Sequence, residues 1–154
     1  MTATTVQIAK QLKTLISAAP FSESIVVNRD YTAFYSIEDI NATLSLSIMP
    51  RATANEIQAK GGEYAQHDYD TDIGIYEHIE ASGAERDARV DELMAIVEEV
   101  ADFIQKIEVT VDGETHFPAA IANEPIFDYE ALKDAGVFRS LITVGFSMVR
   151  GGTP

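Results

Sequence analysis

The segment from Ser82 to Ile107 constrains the fold more than any other part of the chain. Val90, Leu93, Met94, Val97, Val100, Ala101, Ile104 and Ile107 recur at three- and four-residue steps, while Asp91, Glu92, Glu98, Glu99 and Asp102 fill the other side. This pattern predicts a long amphipathic helix that has to bury one broad apolar face against a second layer. Ser82-x-x-Glu85 reads as its capping box, with the serine accepting from a backbone N–H and the glutamate reaching back.

The remaining periodicities supply the second layer. Val6 or Ile8, then Leu12, Leu15, Ile16 and Ala19 mark another helix, from about Thr4 to the stop at Pro20. "SIVVNRDYTAFY" offers Ile25, Val26 and Val27 for a strand. "ATLSLSIMP" alternates, with Leu44, Leu46 and Ile48 on one side and Thr43, Ser45 and Ser47 on the other, as in a half-buried strand ended by Pro50. Arg51 to Gln66 has no period and is long for a connection, so it is expected to be a mobile or partnered loop. Asp112-Gly113 marks a hairpin in "VTVDGETHF". "FDYEALKDAG" gives a short helix capped by Asp128 and stopped by Gly136. The last strand places Ile142, Val144, Phe146 and Met148 inward. The expected fold is α+β: an antiparallel or mixed sheet with two main helices on one face, one domain over residues 1–150, and a frayed tail at 151–154.

Eleven Lys and Arg against 25 Asp and Glu leave a net charge of −14. That surface repels phosphate, which argues against nucleic-acid binding through basic contacts. No cysteine occurs, so disulfides and thiolate metal sites are excluded. The N-terminal segment is expected to be a helix of the mature fold and not a signal peptide, and no window reaches the apolar length of a membrane span.

Asp68, Asp70 and Asp72 stand at every second position in "HDYDTDIGIYEHI". A calcium EF loop would need Gly and Glu at its sixth and twelfth positions, where Ile73 and Ile79 stand. Alternate residues on a strand are also about 7 Å apart, too far to share an ion. The three acids are therefore read as the wet face of a strand whose other face carries Tyr69, Thr71, Ile73 and Ile75. His67, His78 and His116 have no ligand spacing, and no nucleophile elbow, P-loop or dinucleotide fingerprint occurs. We expect no catalytic residue, no metal site and no cofactor. Arg29, Tyr31, Phe34 and Tyr35 in "NRDYTAFY" are either ordinary half-buried aromatics at a strand end or an interface hot spot.

"VDELMAIVEEVADFI", followed by "EPIFDYEALKDAGVFRSLITVGFSMVR", resembles the tail terminator (tail-completion) proteins of long-tailed bacteriophages. The likeness is one of layout over most of the chain. It consists of an N-terminal helix, two strands, an irregular loop, a strand, a long amphipathic helix, and a short helix leading into a final long strand. The resemblance implies a structural virion protein, not an enzyme. It implies a homo-oligomeric ring, usually a hexamer, assembled in the host cytoplasm, that caps the tail tube protein and docks the head connector. DNA would pass through without specific binding, and no membrane is involved. Under that reading the loop holding Arg51, Lys60, Gly61 and Gly62 contacts the tube, Asp68, Asp70 and Asp72 line the lumen, and the Arg29 group is an interface. Two alternatives remain: another head–tail adaptor, or an acidic DNA mimic that regulates a host protein.

Overall fold

The computed structural model describes residues 2–31, 36–51, 54–56 and 64–151, with the backbone alone described for 54–56, 64–68 and 149–151. The first helix is α1 (Thr4–Ala18), which ends just ahead of Pro20. It is followed by strand β1 (Val26–Arg29), a 3-10 turn at Ile37–Asp39, β2 (Ser45–Pro50), β3 (Ala54–Glu56) and β4 (Tyr64–His78). Then come the long helix α2 (Gly83–Gln105), β5 (Val109–Val111), β6 (Glu114–Ala122), α3 (Tyr129–Ala135) and β7 (Val137–Gly151). The seven strands of the described residues run in the order β1-β2-β4-β7-β6-β5, with β3 beside β4. β1 is parallel to β2 and the other pairs are antiparallel, so the sheet is mixed.

Both main helices lie on the same face. Ile8, Leu12 and Ile16 of α1 and Leu93, Ile96, Val97, Val100 and Ile104 of α2 share one apolar cluster with Leu46, Ile48, Ile73, Ile75, Phe138, Ile142, Val144 and Phe146. The α+β layout expected from the periodicities is the one observed. Its local punctuation also holds in two places. Asp112 (φ 52°) and Gly113 (φ 80°) close the two-residue turn between Val111 and Glu114, a conformation open to Gly at no steric cost. Gly136 (φ 66°) ends α3 in the left-handed region, and its N–H donates to Leu132 O at 3.0 Å.

Four expectations are corrected. Ser82 is the N-cap of α2, but its side chain makes no capping bond. Ser45 and Ser47 are buried, not solvated: on the second face of the sheet they lie beside Tyr76, which belongs to a smaller apolar cluster with Ile40, Ala131 and Val137. Ser47 Oγ meets Tyr76 Oη at 2.8 Å, which satisfies both hydroxyls away from water. The patternless stretch from Arg51 to Gln66 contains strand at both ends. Ala54–Glu56 pairs with Gln66–Asp68, along the edge of β4 that β2 occupies from Thr71 to Tyr76. Periodicity fails there because a three-residue strand is too short to show a pattern. Finally, Gly151 ends β7 and is not part of a frayed tail, while 152–154 lie outside the described residues.

β4 and β7 pair along fifteen residues, from Tyr64↔Gly151 to His78↔Val137, and form the centre of the sheet. No helix among the described residues is long and apolar enough to cross a membrane.

Candidate functional site

A cleft with a largely apolar lining forms where "EPIFDYEAL" packs beside β7. Asp128 carries the local order. Its carboxylate caps α3 by accepting from Ala131 N–H at 3.1 Å, and it pairs with Arg139, whose Nε lies at 2.9 Å and Nη2 at 2.7 Å. Its own N–H donates to Arg139 O at 2.9 Å. The Ala131 N–H and the Arg139 guanidinium favour the charged form and hold the Asp128 carboxyl below the ordinary carboxylate value. At the other end of the segment, Asn123 Nδ2 donates to Leu141 O at 2.8 Å and to Ser140 Oγ at 2.9 Å.

Between these two anchors lies a cleft of about 500 Å³, lined by Glu124, Pro125, Tyr129, Glu130 and Leu141 with the Asp128–Arg139 pair. The Glu124–Pro125 peptide bond is cis. Tyr129 is 63% exposed, and Leu141 and Ile126 are 37% exposed. An apolar floor with Glu124 and Glu130 exposed at its rim suits contact with a basic, aromatic or apolar surface. Sequence reasoning missed this site. The available signal was Leu141, an apolar residue out of phase with the inward set Ile142, Val144 and Phe146.

The three aspartates lie on β4, and only part of the expected wet ladder is wet. Asp72 is 7% exposed; it accepts from Thr143 Oγ1 at 3.0 Å and pairs with Arg51 Nε at 3.4 Å. Thr143 stands directly opposite Asp72 on β7, so cross-strand register brings the hydroxyl to the acid. Asp70 is half-buried opposite Gly145, where a Cβ would stand 3.3 Å from Asp70 Oδ1. The missing side chain of Gly145 is what gives this carboxylate room. The side chain of Asp68 lies outside the described residues. Among the described residues no three His, Cys, Asp or Glu side chains are grouped to hold a metal ion.

The structure thus joins Arg51 and Asp72, which sequence reasoning had assigned to separate roles. It also joins Arg29 and Tyr31: the guanidinium lies 5.5 Å from the ring centroid, within cation–π range, and Tyr31 is 69% exposed. Arg29 Nη1 is buried without an acceptor among the described residues. Phe34, Tyr35, Lys60, Gly61 and Gly62 lie outside the described residues.

A second charged group is structural. Arg89 of α2 holds the buried Glu77 through Nε and Nη2 at 2.8 and 2.7 Å, and also reaches Glu23 and Glu92 at 2.8 Å each. Glu77 first, then Glu23, raises the Arg89 pKa further above its ordinary value. One guanidinium therefore ties α2 to the end of β4 and to the segment ahead of β1.

No protein-family model and no curated protein matches this chain. Among solved structures, one chain without a descriptive name is similar at 17% identity and a TM-score of 0.48, covering 100% of this chain and 99% of that one. Another, from the virion of a native gene transfer agent particle, is similar at 16% identity and a TM-score of 0.47, covering 97% of this chain and 96% of that one. Likeness at this level carries no argument about function.

Proposed function

We propose that this chain is a structural protein of a phage-like virion, a tail terminator that forms a ring, hexameric by resemblance, on the end of the tail tube. The reading is supported by one observation: apart from the short β3 inside the expected loop, the fold follows the element order that the resemblance implies, down to the short helix of "EPIFDYEAL" running into a final long strand. The ring stops tube polymerisation and offers its other face to the head connector. It acts by contact alone, with no bond made or broken.

Such a ring needs a head-to-tail contact that closes instead of continuing as a filament. With −14 charges per copy, it also repels the backbone of DNA passing through it. Asp70 and Asp68 are the carboxylates of the ladder proposed for the lumen, since Asp72 is engaged by Thr143 and Arg51. The strand-flanked segment after Arg51 is the proposed tube contact.

Tails assembled without the protein test this reading by electron microscopy. Overlong tubes are expected. Tubes of normal length that fail at another joint would instead make the chain a neck adaptor. Specific binding to a basic host protein, with no affinity for tubes, would favour the acidic mimic.

A further inference from the structure

The large hydrophobic side chains that stay exposed among the described residues fall into two groups. Phe117, Ile126, Tyr129 and Leu141 lie on β6, on β7 beside it, and in the adjoining cleft, while Val26 and Tyr31 lie on and just after β1. These groups sit toward opposite ends of the strand order.

Each group adjoins an open strand edge. β5 pairs with β6 only along Glu114–His116, so the outer edge of residues 117–122 has no strand partner among the described residues. That edge reads Phe-Pro-Ala-Ala-Ile-Ala, without a polar or charged side chain, in a chain where 36 of 154 residues (11 + 25) are charged. Natural sheets blunt an exposed edge with charge, and an uncharged one is a template for pairing. Pro118 and the register shift between Pro118 and Ala120 spoil the first part of it, which leaves Ala120–Ala122 regular.

At the other end, β1 pairs with β2 alone among the described residues. Val26 and Asp30 donate to Leu44 O and Ile48 O, so alternation turns the backbone groups of Val27 and Arg29 to the open side. The side groups also match in kind. Arg29, which has no carboxylate partner among the described residues, and the exposed Tyr31 lie at the β1 end; the exposed Glu124 and Glu130 rim the cleft at the β6 end.

We propose that the open edge of β6 at Ala120–Ala122, with the cleft beside it, receives the β1 edge of a second copy, so that the sheet continues from one copy into the next. The contact is heterologous, with each copy using one end as donor and the other as acceptor, and so it generates a ring or a chain of subunits. It deepens the ring reading above by naming the surfaces that meet.

The absence of cysteine permits a direct test. Four single-cysteine chains carry Val26→Cys, Asn28→Cys, Ala120→Cys or Ala122→Cys, each checked for the wild-type melting curve. They are mixed in pairs and oxidised at high protein concentration. Disulfides are expected between a β1 variant and a β6 variant, at least tenfold above those within any single variant. In sedimentation, Ala122→Lys is expected to weaken self-association at least tenfold with melting unchanged. Equal or greater cross-linking within single variants, or self-association that Ala122→Lys leaves intact, would overturn the proposal. So would a chain that stays monomeric and uncross-linked throughout. The tail-length assay is independent of these results, so terminator activity with no β1–β6 cross-link would reject the contact and keep the function. The cross-link with normal tails would do the reverse.

Discussion

On one face of the sheet, Ile73, Ile75, Phe138, Ile142, Val144 and Phe146 lie beneath α1 and α2 with no exposed surface at all. On the other face the same strands present Tyr76, Asp72, Thr143 and Arg139, each held by specific polar partners. The first face is stabilised by area removed from water, a diffuse term spread over many contacts. The second relies on pairs that are worth little while intact and costly when one member is removed. Substitutions in apolar packing and in polar pairs should therefore differ in whether a second change can rescue them.

The largest loss is expected on the helix-covered face. Phe138→Ala should cost about 4 kcal/mol in urea unfolding, with no single partner change restoring it, since it leaves a cavity. Arg89→Met should follow at about 2–3 kcal/mol, because Glu77 is left buried and uncompensated while Arg89 itself is partly exposed. Here rescue is expected: Glu77→Met in the same chain should recover most of the loss. On the second face, Ser47→Ala should cost about 1 kcal/mol by removing the Ser47–Tyr76 hydrogen bond, and Tyr76→Phe added to it should cost less than the sum of the two single changes.

Asp128→Asn should cost about 1 kcal/mol or less at neutral pH, by losing the Arg139 pair while retaining an N-cap acceptor. Its pH dependence has a definite sign. The folded carboxyl titrates below its unfolded value of about 3.9, so its contribution is complete above that pH and is lost as pH falls through the lower folded value. Acid melts of the asparagine variant should accordingly be shallower than wild type below about pH 4. The smallest effect is expected for Ser82→Ala, under about 0.5 kcal/mol, because the side chain makes no capping bond. A full capping loss of about 1 kcal/mol would mean that Ser82 caps α2 in solution.

The same contrast explains what was legible in the sequence. The helix-covered face was readable because burial writes a period of 3.6 or 2 into neighbouring residues, as in Val90 to Ile104 or Ile142 to Met148. The second face was not, because its contacts join residues far apart in sequence whose types carry no period. Ser47 and Tyr76 look like a solvated serine and a stray aromatic until β2 lies beside β4. Asp72 looked wet because alternation tells which face a residue occupies and not whether that face is covered. The cleft was hidden for a related reason: "EPIFD" is irregular backbone whose walls come from β7 and α3, and only Leu141 hinted at it.

Placing β7 between β4 and β6 has a consequence for synthesis. The last of the described strands in chain order fills the middle of the sheet and supplies Phe138, Ile142, Val144 and Phe146 to the core. A nascent chain halted before residue 138 holds two amphipathic helices and the remaining strands with their central partner missing. Cooperative structure therefore waits until this segment has left the ribosome, and the β4–β7 pairing it then completes joins residues 59 to 87 positions apart, a non-local contact of the kind associated with slow folding.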